Sequence, residues 1–116
     1  MPSRTILLIE DEPLVRLMTA DMLSESGHTV LEAENSAQAL AHLEQTSEID
    51  TIVADVNIPG QLNGIGVSEV ALARRPDLRV VFISGSDLPD RVTSAGVGRF
   101  LLKPYLPRDL AEAVAC

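Results

Sequence analysis

A chain of 116 residues fits one domain with a real core and leaves little room for a second. Hydrophobic residues make up 46% and aromatic residues only 3%, so disorder is excluded and the core must be Leu, Val, Ile and Ala. The formal net charge of -8 argues against nucleic-acid binding through phosphates, which needs clustered Lys and Arg.

The first element is the unbroken apolar run Thr5–Ile9, the pattern of a strand covered on both faces. It is too short for a signal peptide or a membrane span, and Glu10-Asp11-Glu12 follow at once. Pro13 suits the first turn of a helix, because its missing N–H costs nothing there. Leu14, Leu17, Met18 and Met22 fall on one face at helical spacing and are expected to pack in the core, and Gly27 closes the helix. Residues 28–33 alternate polar and apolar, as an edge strand does. Ser36 is the expected N-cap of a helix over 37–45, with Leu40 and Leu43 facing inward.

A third, buried strand covers 49–54 and ends at Asp55. The chain then turns through Val56-Asn57-Ile58-Pro59-Gly60. Gly64 opens a helix running to about Arg75, whose basic last turn complements the helix dipole before Pro76. Strands over 80–83 and 100–102 follow, and Pro107 begins a final helix carrying Leu110 and Val114. Between them, 87–98 has weak helical patterning, with room for two turns at most. It is therefore expected to be the part that moves. Cys116 is the only cysteine, so no intrachain disulfide forms and a reducing, cytoplasmic setting is expected.

Strands alternating with helices imply right-handed crossovers and a parallel sheet with helices on both faces. Ligands of such sheets bind beyond the carboxyl ends of the strands, where the strand order reverses. Glu10-Asp11, Asp55, Ser84 and Lys103 all stand at strand ends and would meet there. Each has a plain alternative: Asp11 and Glu12 as helix caps, Asp55 and Ser84 as turn residues, Lys103 as a solvated surface lysine. Together they outweigh it. Clustered carboxylates call for a cation, and all-oxygen donors suit Mg2+. Asp55 can then act as a nucleophile toward a phosphoryl group, with Lys103 and the Ser84 hydroxyl on its oxygens.

Ile-Glu-Asp-Glu-Pro at 9–13, Asp-Val-Asn-Ile-Pro-Gly at 55–60, Ser84-Gly85 and Lys103-Pro104 resemble the receiver domain of two-component response regulators, in order and over the whole chain. The resemblance implies a flavodoxin-like (βα)5 fold, a five-stranded parallel sheet in order 2-1-3-4-5, as one domain over 1–116. It implies Mg2+-dependent transfer of phosphate from a histidine kinase, or a histidine phosphotransfer protein, to Asp55, and a conformational switch that signals to a downstream protein. Such a domain is no enzyme beyond its own phosphorylation and dephosphorylation, and binds neither nucleic acid nor membrane.

By the same resemblance Asp11 binds Mg2+ directly, Glu10 mainly through water, and Asp55 and the Asn57 backbone carbonyl complete the protein ligands. Ser84 and Phe100 are the implied switch residues. Two departures stand out. The loop from Asp55 to Gly64 is one residue longer than the commonest receiver pattern, and the Ser84 to Lys103 interval is short. The pattern resembles receivers with a shortened fourth helix, which puts the usual output face in question.

Two other readings compete. An aspartate-nucleophile phosphohydrolase of the haloacid dehalogenase type also combines Asp, Ser, Lys and Mg2+, but normally carries its nucleophile in Asp-x-Asp on the first strand. A receiver-like docking module that is never phosphorylated is disfavoured by the presence of every site residue.

Overall fold

The computed structural model describes residues 3–84, 99–103 and 105–115. Its elements are β1 (Thr5–Ile9), α1 (Pro13–Glu25), β2 (Thr29–Ala33), α2 (Ser36–Gln45), β3 (Thr51–Asp55), α3 (Gly64–Arg74), β4 (Arg79–Ser84), β5 (Arg99–Leu102) and α4 (Pro107–Ala115). All strand pairs are parallel and the order is β2-β1-β3-β4-β5. This is the expected flavodoxin-like sheet. The segment 87–98, expected to move, lies outside the described residues.

Successive residues of a strand point to opposite faces, and the core divides accordingly. Leu7, Ile9, Ile52 and Ala54 pack with Ala39 and Leu43 of α2 and Val67 and Ala71 of α3. Ile6, Leu8, Val53, Val81 and Ile83 pack on the other face with Ala20 and Leu23 of α1 and Leu110, Ala113 and Val114 of α4. Each fully buried Leu or Ile contributes roughly 1.5–3 kcal/mol, so the central strands are the rigid base of the domain. Leu43 is buried and Leu40 packs beside it, as expected.

The inward face of α1 differs from the expected one. Leu14, Leu17 and Met18 are 64%, 55% and 52% exposed, and only Met22 of that stripe packs against the core. Thr19, Ala20 and Leu23 are the buried residues. Two apolar stripes compete on this helix. The one with small residues wins because it lets α1 approach the sheet, and the Thr19 hydroxyl is satisfied by Tyr105 Oη at 2.8 Å.

Two caps also differ. Asn35, rather than Ser36, caps α2 and accepts from the Gln38 N–H at 2.8 Å, while Ser36 is the first helical residue. At α1 the N-cap is Glu12, whose side chain makes no capping bond; the Glu12 N–H donates to Glu10 Oε2 at 3.2 Å. Asn63 caps α3 by accepting from the Gly66 N–H at 2.9 Å. Arg75 follows α3, and its guanidinium donates to the carbonyls of Leu43 and Ile49, tying the end of α2 to the entry of β3.

Candidate functional site

Register decides which strand ends meet. Ile9 pairs with Ala54, so Glu10 comes level with Asp55 at the boundary between β1 and β3. That boundary is where the strand order reverses, because β2 lies beyond β1 and β4 beyond β3. Asp55 pairs with Ile83 and Ser84 with Leu102, which sets Ser84 and then Lys103 beside Asp55. Backbone bonds carry the ladder past the strands: Glu10 N–H to Ala33, Val56 N–H to Ile83 and Lys103 N–H to Ser84, at 3.0, 2.9 and 2.8 Å.

Lys103 Nζ lies 2.6 Å from Asp55 Oδ2 and 3.2 Å from Glu10 Oε1. Glu10 and Asp55 are 3% and 6% exposed, and Ser84 is buried beside them. Asp11 is exposed, so the carboxylate cluster has two buried members and one at the rim. One oxygen from each of Glu10, Asp11 and Asp55 lies within 4.8 Å of the others. The Asn57 N–H donates to Asp55 Oδ1 at 2.9 Å, which folds the turn back over the carboxylate. Phe100 sits opposite Phe82 in the sheet, but its side chain lies outside the described residues.

The electrostatics follow from this packing. Burial pushes the Glu10 carboxyl up, the Glu12 N–H opposes that, the Asp55 charge adds to it, and Lys103 opposes it; the net direction is upward. For Lys103, burial alone would lower the ammonium, but the hydrogen bond and charge of Asp55, with Glu10, outweigh it and raise it. Tyr105, two residues on, is raised by burial against the opposing bond from Thr19.

A lysine raised on folding contributes stability that is fully present below its ordinary 10.5 and lost as pH rises through the folded value. Urea denaturation of the metal-free protein should therefore show Lys103→Met less stable than wild type at pH 7, with the gap narrowing above 10.5. A gap that stays constant across that range would mean Lys103 is not held by the two carboxylates.

Sequence reasoning missed three supports. Arg16 donates to the Glu10 carbonyl at 3.0 Å while its Nε meets Glu32 at 3.3 Å, bracing the acidic loop against β2. Thr19 and Tyr105 pin the chain that follows Lys103 to α1. Gly64 lets α3 begin against the backbone of Asp55 itself, since a Cβ there would lie 2.2 Å from the Asp55 carbonyl oxygen. Only Gly64 carried a local signal, as a glycine at a helix start.

The oxygens of Glu10, Asp11 and Asp55 form a hard, anionic donor set that fits a small divalent cation. Fold and site together define a class. The response regulator receiver domain family matches residues 6–115, and the chain belongs to it. It is 31% identical over 112 residues to the transcriptional regulatory protein PdtaR of Mycobacterium tuberculosis (strain ATCC 25618 / H37Rv), covering 96% of this chain and 55% of that protein. It is 34% identical over 120 residues to the sensor kinase CckA of Brucella abortus (strain 2308), covering 97% of this chain and 12% of that one. The chain thus spans about half of PdtaR and a small part of the kinase. A response regulator receiver protein from Sinorhizobium medicae WSM419 superimposes with a TM-score of 0.88 at 30% identity, covering 97% of this chain and 92% of that one.

The protein is therefore a receiver domain of two-component signalling, a family whose general function is phosphorylation on an aspartate. Among the described residues, no helix is long and apolar enough to cross a membrane.

Proposed function

We propose that Asp55 is the phosphoacceptor of this receiver, loaded from the phosphohistidine of a sensor histidine kinase or a histidine phosphotransfer protein. The observation that carries this is the contact of Lys103 Nζ with Asp55 Oδ2 at 2.6 Å, at the strand crossover and within reach of Glu10 and Asp11. An Asp55 carboxylate oxygen attacks phosphorus, the P–N bond breaks, and the imidazole leaves with the bonding pair. Lys103 is then free to pair with a phosphoryl oxygen. Ser84, the last residue of β4, would donate its hydroxyl to another. Ser84 and Phe100 couple loading to the downstream partner.

Mg2+ fits the donor set: Asp11, Asp55 and the Asn57 carbonyl would hold it directly and Glu10 through water. Bound there, it neutralises phosphoryl charge. The chain works as one receiver unit over 1–116 whose chemistry is confined to its own phosphorylation and dephosphorylation. The phosphodonor docks along α1, where Leu14, Leu17 and Met18 are exposed beside a hollow of about 240 Å³ bordered by Lys103 and Tyr105.

The reading is tested by incubating the protein with acetyl phosphate and Mg2+ and mapping the label, which is expected on Asp55. Label elsewhere, or steady turnover of a small phosphate ester in its place, would overturn it. The metal assignment has its own test. Titration should show Asp11→Ala weakening Mg2+ binding by roughly tenfold or more, and Glu10→Gln by several-fold less. Equal losses would mean the inner ligand is misassigned.

A further inference from the structure

The turn after Asp55 does not stand by itself. It leans on the N-terminus of α2, an element that contributes no side chain to the site. The Ser36 N–H, one of the backbone donors a helix start leaves unpaired, donates to the Pro59 carbonyl at 3.2 Å. Gly60, the next residue, has φ +120, and a Cβ on it would lie 2.1 Å from Ser36 Oγ and 3.1 Å from Ser36 Cβ. Ser36 is buried in this contact. The glycine therefore serves both the backbone angle and the close approach.

Between Asn57 and Gly60 the turn is stiff. Ile58 is buried in the core on the α2 and α3 side, and Pro59 has a fixed φ. The Asn57 N–H is held by Asp55 Oδ1 at 2.9 Å. A displacement forced at Gly60 has no slack to absorb it before Asn57, the residue whose carbonyl faces the cation in the proposed site.

We infer that Gly60 is a positioning residue for the cation site: by its close approach to the N-terminus of α2, where the Ser36 backbone N–H holds Pro59, it sets where the 57–60 turn presents its carbonyl. This rests on the reading of Asn57 and Asp55 as metal ligands. Coupling of this kind is reciprocal, so a cation on the loop must also tighten the contact at Ser36.

The experiment is calorimetric titration of Mg2+ into four proteins, with the urea stability of each measured without metal. Wild type should bind. Gly60→Ala should bind about tenfold more weakly, because backbone strain and the clash move the turn. Ser36→Gly should bind nearly as wild type. The double variant Gly60→Ala/Ser36→Gly, which removes the clashing atoms, should recover several-fold of the loss.

A second measurement needs no variant: Mg2+ should slow exchange of the Ser36 amide in the wild-type protein. If wild type binds no Mg2+, the underlying site reading fails and takes this inference with it. If wild type binds and Gly60→Ala binds equally well, or loses stability with unchanged affinity, Gly60 is merely structural and the inference is wrong. An unchanged Ser36 amide on saturation with Mg2+ would overturn it as well.

Discussion

Replacing Asp55 with Asn should lower phosphoryl incorporation from acetyl phosphate, or from a kinase, by roughly 1,000-fold or more while leaving the domain folded. The amide keeps the size of the carboxylate and can still accept the Asn57 N–H that Asp55 Oδ1 accepts at 2.9 Å. It has no charge and is no nucleophile, so the bond to phosphorus cannot form. Stability should hold or rise. The Asp55 charge is one of the influences pushing Glu10 up, so removing it relieves repulsion between two buried carboxylates. Against this stands the lost ion pair with Lys103, which keeps Glu10 as a partner at 3.2 Å. Incorporation at the wild-type rate in a variant with an unchanged urea midpoint would sink the assignment. Failure of the wild type itself to take label under any donor would instead favour a docking module that is never phosphorylated.

The residues proposed to carry this chemistry were the legible part of the sequence, for a reason. A central parallel strand is buried on both faces and reads as an unbroken apolar run, so the polar residue that ends it marks the edge of the sheet. Glu10, Asp55 and Ser84 each announced themselves in that way, Lys103 stood at the end of the shorter apolar run of the edge strand, and the parallel register then brings them level. Helix faces were less legible. Leu14, Leu17 and Met18 match the helical period as well as the true inward residues do, but only the sheet surface reveals that Ala20 and Thr19 fit against it. Asn35 and Ser36 are both good caps and adjacent, so composition could not choose between them. Arg16, Thr19 and Tyr105 were invisible because their partners come from packing. Thr19 and Tyr105 lie 86 residues apart, and no local pattern joins them.

Gly64→Ala should be the most damaging methyl added at any of the described glycines, and for want of space rather than for backbone angle. Among the described residues the positive-φ glycines are Gly27 and Gly60, so the backbone of Gly64 is one that alanine adopts readily. Its Cβ would lie 2.2 Å from the Asp55 carbonyl oxygen, 3.0 Å from the Asp55 carbonyl carbon and 3.2 Å from Val56 Cα. All three are backbone atoms of the strand end and cannot rotate away. The start of α3 is also pinned there, because the Gly64 N–H donates to the Val56 carbonyl at 3.0 Å and the Ser68 hydroxyl donates to the Gly64 carbonyl at 2.9 Å. Either α3 lifts from β3 or Asp55 shifts, at a cost of about 3 kcal/mol. Gly66→Ala is the matched control. Its Cβ would approach the Leu62 side chain at 3.2 Å, which can adjust, and alanine gains up to about 1 kcal/mol of helix propensity over glycine. Urea denaturation should thus separate the two variants by about 3 kcal/mol or more, with Gly66→Ala near wild type. The phosphorylation rate should fall with Gly64→Ala even at temperatures where it remains folded, because the atom it crowds belongs to the proposed acceptor, Asp55. Equal stabilities and rates in the two variants would show that α3 does not abut Asp55. The acceptor would then owe its position to β3 and the 57–60 turn, without the start of α3.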